Sequence, residues 1–139
     1  MVSDLGVFID TCVFVAARNS RDINHEKAKE LLRRALLGEW GEIFTSNFVF
    51  DEAVTLALVR TRRPEIAIDI GNFILSSSTI RMLFVDEDAF KLAWKIFNDY
   101  ANRGLSFTDA TNIALIRSYK IEHIMSFDKH FDGIVTRIP

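Results

Sequence analysis

The segment Leu105-Ser-Phe-Thr-Asp-Ala-Thr-Asn-Ile-Ala-Leu115 places an aspartate at the point where a turn meets an apolar helix. A second segment, Met125-Ser-Phe-Asp-Lys-His-Phe131, places another aspartate just after a short strand-like run. Carboxylates held rigidly at the ends of apolar elements are the oxygen ligands that a hard cation prefers. Asp109 and Asp128 therefore predict a cation site at one edge of the fold.

On both sides of these segments, strand patterns alternate with helix patterns along the chain. Short apolar runs predict strands at residues 5–9, 42–46, 80–85 and 121–126, with a short edge strand at 134–136. Apolar residues at helical spacing predict helices at residues 11–17, 24–37, 47–60, 64–75, 89–101 and after 106. Such alternation is typical of an α/β fold, in which right-handed crossovers wrap helices around a parallel sheet.

The composition indicates an ordinary globular protein. The 139 residues are 49% hydrophobic and 26% charged, which predicts a single domain spanning residues 1–139. No apolar run approaches the roughly 20 residues of a membrane helix, and the first residues lack the pattern of a secretion signal. We therefore expect a cytoplasmic protein. A single cysteine, Cys12, excludes an internal disulfide and a zinc site built from cysteines.

The net charge of −2 excludes a strongly basic nucleic-acid-binding protein on totals alone. Local basic clusters remain, and they are the candidate phosphate contacts if the substrate is a nucleic acid. These candidate RNA contacts are Arg33, Arg34, Arg60, Arg62 and Arg63.

Four acids follow strands or open helices, so that all should face the same edge of the sheet: Asp10, Glu52, Asp109 and Asp128. Each also has a structural interpretation. Asp10 could cap the helix that follows it, and Glu52 could interact with the dipole at the start of its helix. Asp109 could form a capping box with Ser106, and Asp128 could be an ordinary turn residue. Carboxylates close together repel one another, and a divalent ion relieves that repulsion. Mg²⁺ or Mn²⁺ fits such an all-oxygen site, and phosphodiester hydrolysis is the reaction that best uses it.

Several segments resemble the PIN domain, in particular the short VapC-like ribonuclease toxins, and together they span nearly the whole chain. They are Phe8-Ile-Asp-Thr-Cys12, the helix with Glu52, Leu105-Ser-Phe-Thr-Asp-Ala110 and Ser126-Phe-Asp-Lys-His-Phe131. The resemblance implies a three-layer α/β/α sandwich with a mostly parallel sheet of four or five strands. It also implies an endoribonuclease in which a water activated by Mg²⁺ or Mn²⁺ hydrolyses the phosphodiester bond.

The resemblance assigns roles to individual residues. Asp10 and Asp109 would bind the main ion, and Glu52 and Asp128 would complete its coordination or hold a second ion. Supporting roles near the metal fall to Thr11, Ser106, Thr108, Asn112 and Asp132. Among these, Asn112 lies one turn after Asp109 and is expected to support it.

The toxin resemblance further implies a homodimer and a small antitoxin as partner. Three alternatives stay open at this point. The chain could be a PIN-like module that binds RNA or protein without turnover, or an RNA-processing nuclease outside a toxin–antitoxin pair. The apolar helices around Phe14, Leu56 and Phe73 could also serve mainly as an assembly surface. A haloacid-dehalogenase-like phosphatase is disfavoured, because that family needs a second aspartate at the position of Cys12.

Overall fold

The computed structural model describes residues 6–139 as an α/β fold built on five strands. The strands are β1 (Val7–Ile9), β2 (Ile43–Ser46), β3 (Ile80–Leu83), β4 (His123–Met125) and β5 (Thr136–Ile138). The helices are α1 (Thr11–Arg18), α2 (His25–Leu36), α3 (Asn47–Thr61), α4 (Pro64–Ser76), α5 (Glu87–Asp99) and α6 (Phe107–Tyr119). Two short 3-10 helices cover Ala101–Arg103 and Lys129–Phe131.

The five strands form one parallel sheet in the order β3-β2-β1-β4-β5. From β1 the chain moves outward to β2 and β3, with α1 to α4 on these connections, and it then returns across the sheet to β4 through α5 and α6. Right-handed crossovers that run in opposite directions place their helices on opposite faces. The predicted α/β/α sandwich is confirmed. β1 and β2 are buried along their whole length, as expected of strands covered on both faces.

This strand order has a switch point between β1 and β4, where the two directions of winding diverge. In open α/β sheets the helices leave a crevice at the carboxyl ends of such a strand pair. Asp10 follows β1 directly, and Ser126 follows β4 directly. Strand register brings these two ends level, since Ile9 pairs with Met125.

The edge strand was predicted in the wrong place, two residues too early. The backbone amides of Ile134 and Val135 instead bond to the Phe131 carbonyl and close a turn. Pairing with β4 begins only at Thr136, opposite His123. The other predicted strands are shorter than expected by one to three residues, and residue 5 lies outside the described residues.

Within residues 6–139, none of the helices combines the length and apolar character that a membrane-spanning segment requires.

Candidate metal centre

Asp10 is buried at the centre of the carboxyl edge, with only 2% of its surface exposed. Its Oδ1 accepts hydrogen bonds from the Thr11 amide at 2.9 Å and from Asn112 Nδ2 at 3.0 Å. Its Oδ2 accepts one from the Ser126 hydroxyl at 2.8 Å. Asp10 thus caps α1, as its structural interpretation required, and it also joins α1 to α6 and β4.

The electrostatic environment of Asp10 is unfavourable to its charge. Burial, and next the nearby carboxylate of Asp109, raise the pKa of Asp10 from 3.8 to about 7, against the opposing hydrogen bonds from Ser126 and Thr11. A bound cation would favour the ionised form and remove this penalty. The environment of Asp10 therefore favours either a protonated carboxyl group or a carboxylate paired with a cation.

Asp109 forms the capping box of α6 and also faces a titratable side chain. Its amide donates to the Ser106 hydroxyl at 3.0 Å, while its Oδ2 accepts from the Ser106 amide at 2.9 Å. The same Oδ2 lies 3.1 Å from His130 Nε2. Burial raises the pKa of Asp109, whereas the Ser106 amide and His130 lower it. Capping uses one oxygen, which leaves Oδ1 free, but Asp109 lies outside the compact group of ligand atoms and its role as a metal ligand stays a prediction.

Asp128 lies beyond the end of β4, with its side chain half exposed. Its amide donates to the Ser126 hydroxyl at 3.1 Å, which ties it to the group that holds Asp10. One ligand atom each from Asp10, Cys12 and Asp128 lie within 4.8 Å of one another. This is the only such group of potential ligands in the part of the chain that the structure describes.

The thiol of Cys12 belongs to this group because α1 begins at residue 11 and its first turn faces Ser126. Burial, and next the carboxylate of Asp10, raise the pKa of Cys12 to about 12. Without a cation, the side chain is therefore a neutral thiol at neutral pH.

Three buried polar atoms in this region have no hydrogen-bond partner among the described residues: Thr11 Oγ1, Asn112 Oδ1 and His130 Nε2. Asn112 is fully buried, and Thr11 is 4% exposed. An unsatisfied buried acceptor costs about 1–3 kcal/mol, and a bound ion or its water would supply the missing partner. Together with the carboxylate donors, these atoms fit the expected divalent ion.

Asn112 was expected to support Asp109, but its hydrogen bond goes to Asp10. On α6, position 112 lies almost one turn after Asp109 and faces the end of β1, which the sequence alone does not show.

Glu52 lies in the second turn of α3, half buried and outside the compact group of ligand atoms. Phe48, four residues earlier and hence on the same face of the helix, contacts Phe107 at the start of α6 with ring centroids 6.4 Å apart. Glu52 is therefore on the side of α3 that faces α6. Its role as a ligand stays a prediction.

The remaining predicted supporting residues lie at the start of α6 and in the loop after β4. Thr108 and Ser106 open α6, and Asp132 pairs with Arg137 at 2.7 Å. The Arg137 guanidinium also donates to the Ser126 carbonyl, so Asp132 steadies the loop after β4. That Asp132 lies next to the metal stays a prediction.

The structure does not bring the arginine clusters to the carboxyl edge. α3 begins at that edge and spans 15 residues, or roughly 22 Å. Arg60, Arg62 and Arg63 are consequently near the opposite edge. Arg33 and Arg34 lie in the last turn of α2 and pair with Glu30 and Glu39. RNA contact by these five arginines also stays a prediction.

Three residues of the centre were not singled out from the sequence: Cys12, Ser126 and His130. Ser126 had a local signal, since a serine two residues before Asp128 is a common turn donor and acceptor. Cys12 and His130 had none, because their proximity to Asp10 and Asp109 arises only from the packing of α1 and the loop after β4 against α6.

Comparison with known proteins agrees with this architecture. The model of the PIN domain family matches residues 7–135. The chain is 30% identical over 131 residues to the 23S rRNA-specific endonuclease VapC20 of Mycobacterium tuberculosis, covering 91% of this chain and 92% of that protein. It is 24% identical over 128 residues to a VapC ribonuclease of Archaeoglobus fulgidus, covering 91% and 80% respectively.

Solved structures show the same fold. The crystal structure of M. tuberculosis VapC20, described as a sarcin-ricin loop cleaving toxin, superposes with a TM-score of 0.83 at 30% identity, covering 96% of this chain and 99% of that one. VapBC2 from Rickettsia felis, bound to a promoter DNA fragment, gives a TM-score of 0.67 at 13% identity, covering 96% and 97%. The sheet order, the acidic carboxyl edge and these matches lead to one conclusion: the chain belongs to the PIN domain family.

Proposed function

We propose that this chain is an endoribonuclease that hydrolyses phosphodiester bonds with a divalent metal ion, and that it acts as the toxin of a toxin–antitoxin pair in the cytoplasm. The observation that carries the proposal is the buried carboxylate of Asp10, which lies at the switch point of the sheet beside two further acids and two unsatisfied polar atoms.

Asp10, Asp109 and Asp128 would hold the ion, with Glu52 as a further ligand from α3. Mg²⁺ or Mn²⁺ suits the carboxylates. When bound, the ion lowers the pKa of a water molecule and polarises a phosphoryl oxygen. The protein would orient the carboxylates through Asn112, Ser126 and the capping box, and His130 Nε2 lies 3.1 Å from Oδ2 of Asp109. Such outer partners keep ligands in a productive geometry.

The proposed substrate class follows from the descriptions of two relatives. The M. tuberculosis relative is described as specific for 23S rRNA, and the A. fulgidus relative as a ribonuclease. We therefore propose RNA as the substrate. An RNA that also reached the arginines at residues 33, 34, 60, 62 and 63 would have to extend from the carboxyl edge towards the opposite one.

The proposal of a partner protein is supported by a groove of ≈ 460 Å³ between α1, α2 and α4. Phe14, Leu32, Ile70 and Phe73 supply apolar lining, while charged residues of both signs form the rim. Such a groove fits an amphipathic segment of a small partner, and proteins of the same fold have been solved as toxin–antitoxin complexes. We assign it to an antitoxin.

The proposal of a homodimer is supported by an exposed aromatic face formed by α5 and the segment before it. Phe84, Phe90 and Trp94 expose 65%, 51% and 57% of their surface, and Trp94 stacks on Phe97. Exposed apolar patches of this kind mark contact surfaces. We assign this face to a second copy of the chain.

The test of the nuclease is cleavage of a mixed RNA panel, ribosomal RNA included, in Mg²⁺ or Mn²⁺ and in EDTA. Asp10→Asn should reduce cleavage by at least about a hundredfold, because an amide cannot supply the charge that holds the ion. The circular dichroism spectrum should be unchanged, since the amide fills the same space. Asp99→Asn, at an exposed position at the end of α5, is the matched variant and should retain most activity. Equal cleavage by wild type and Asp10→Asn would refute the proposal.

A further inference from the structure

Cys12 places the protein's single sulfhydryl group inside the carboxylate cluster. Its Sγ lies 3.7 Å from Asp10 Oδ2 and 3.6 Å from Ser126 Oγ. A ligand atom of Asp128 completes a group within 4.8 Å. The neighbouring donors are hard oxygens, whereas sulfur is a soft donor that selects other metals.

A second observation points to a ligand at the carboxylate of Asp10. Asn112 is fully buried, and it donates to Asp10 Oδ1 while its own Oδ1 has no partner in the described part of the chain. Thr11 Oγ1, adjacent in sequence to both Asp10 and Cys12, is likewise buried and unpaired. A ligand bound at Asp10 would lie beside the Asn112 side chain, whose amide nitrogen is 3.0 Å from the same carboxylate.

We propose that Cys12 Sγ is a direct ligand for a borderline or soft divalent ion, such as Co²⁺, Zn²⁺ or Cd²⁺, at the position between Asp10 and Asp128. The inference rests on the metal centre proposed above and adds a mixed sulfur–oxygen ligand set to it. As the metal–sulfur bond forms, the thiol releases its proton to solvent, and no electron transfer is involved.

Two kinds of ion would therefore occupy the same place with different ligands. Mg²⁺ prefers oxygen and would be held by the carboxylates, with the thiol as a neutral neighbour. Co²⁺, Zn²⁺ and Cd²⁺ would gain a thiolate bond in addition. Cys12 would thus raise the preference of the centre for these ions over Mg²⁺.

The test is a Co²⁺ titration of the metal-free full-length protein, monitored by absorbance. A thiolate bound to Co²⁺ gives a charge-transfer band in the near ultraviolet, and with one cysteine in the chain this band reports on Cys12 alone. We expect the band in the wild type and its loss in Cys12→Ser and Cys12→Ala. Two variants are needed because a serine hydroxyl can itself bind a metal.

Calorimetry on the same samples measures selectivity. The dissociation constant for Cd²⁺ should rise about tenfold or more in both variants, while that for Mg²⁺ changes by less than about threefold. Cd²⁺ should also protect the wild-type thiol from alkylation, and Mg²⁺ should not. Circular dichroism checks that each variant is folded.

Three results separate this inference from the proposed function. Co²⁺ binding without the band, and with equal Cd²⁺ affinity in wild type and variants, would overturn the role of Cys12 and leave the metal centre intact. Failure of the wild type to bind any divalent ion would overturn both. The band in a protein that cleaves no RNA would support Cys12 as a ligand and count against the nuclease.

Discussion

At the scale of single residues, Asp10 combines three tasks in one carboxyl group. It caps α1, accepts hydrogen bonds from α6 and from the residue after β4, and provides the buried negative charge of the centre. The first two tasks stabilise the fold, but the third opposes it when no cation is bound. Stability and function therefore conflict at this residue.

This conflict predicts a pH dependence in the metal-free protein. Between pH 3.8 and about 7 the folded protein keeps a proton on Asp10 that the unfolded chain releases. The folded state binds more protons, so the free energy of unfolding falls as pH rises through this window, by an upper limit of roughly 4 kcal/mol. Denaturation in EDTA from pH 4 to 8 measures this slope.

Asp10→Asn should flatten most of that slope, and the remainder belongs to Asp109, whose pKa is also raised. Mg²⁺ should restore stability to the wild type above pH 7 and not to the variant. Identical slopes in wild type and variant would show that Asp10 carries no such penalty.

Asn112 tests the idea that a neutral residue positions the ligand. Asn112→Ala removes the 3.0 Å bond to Asp10 Oδ1, and we expect the affinity for Mn²⁺ to fall about 10–100-fold. Calorimetry provides the measurement. Asn102→Ala, an exposed position in the turn before α6, is the matched control and should bind Mn²⁺ like the wild type. Unchanged affinity in Asn112→Ala would remove the positioning role.

At the scale of elements, three of the four proposed acids lie at or near the starts of α1, α3 and α6. Each of these helices begins at the carboxyl edge with a side chain that caps the helix: Asp10, Ser46 and Ser106. Caps determine where a helix begins, and hence which residue of its first turn reaches the edge. The helix starts therefore fix both secondary structure and the placement of the acids.

The capping box of α6 should accordingly affect stability and cleavage together. Ser106→Ala removes the bond to the Asp109 amide, and we expect a loss of about 1 kcal/mol in the free energy of unfolding. It should also lower the cleavage rate, because the carboxylate of Asp109 loses its fixed position. Urea denaturation and RNA cleavage measure the two effects.

Asp86→Ala is the matched control, since Asp86 caps α5 through the Ala89 amide and lies outside the ligand group. It should cost a similar free energy and leave cleavage unchanged. If both variants lost cleavage equally, the effect of Ser106 would be one of stability alone.

At the scale of the whole molecule, the sheet order separates the three surfaces to which we assign different roles. The acids occupy the carboxyl edge, the partner groove lies among α1, α2 and α4, and the aromatic face runs along α5. A second copy on α5 would leave the groove open.

Charge introduced on the aromatic face should therefore dissociate the proposed dimer. Trp94→Glu places a carboxylate where 57% of an indole is exposed, and we expect the mass measured by light scattering to fall to that of one chain. Leu37→Glu, at an exposed leucine after α2, is the control and should remain a dimer. A dimeric Trp94→Glu would show that another surface joins the copies.

The local sequence was sufficient for much of this protein. Apolar periodicity and capping residues predicted the helices and four of the five strands, because these signals act within a few residues. The same local rules placed Asp10 after a strand and Asp109 in a capping box. The resemblance to the PIN domain, based on short segments around these acids, is confirmed by the family match over residues 7–135.

Only the tertiary structure decided which side chains meet. Asn112 bonds to Asp10 across 102 positions, and Cys12 approaches Ser126 across 114. These contacts depend on the sheet order and on the register of β1 with β4, which no local pattern encodes. The packing of distant elements also determines the position of the strand Thr136–Ile138 and the distance between the arginine clusters and the acids. Local sequence determines where elements begin, and the packing of distant elements determines what faces the site.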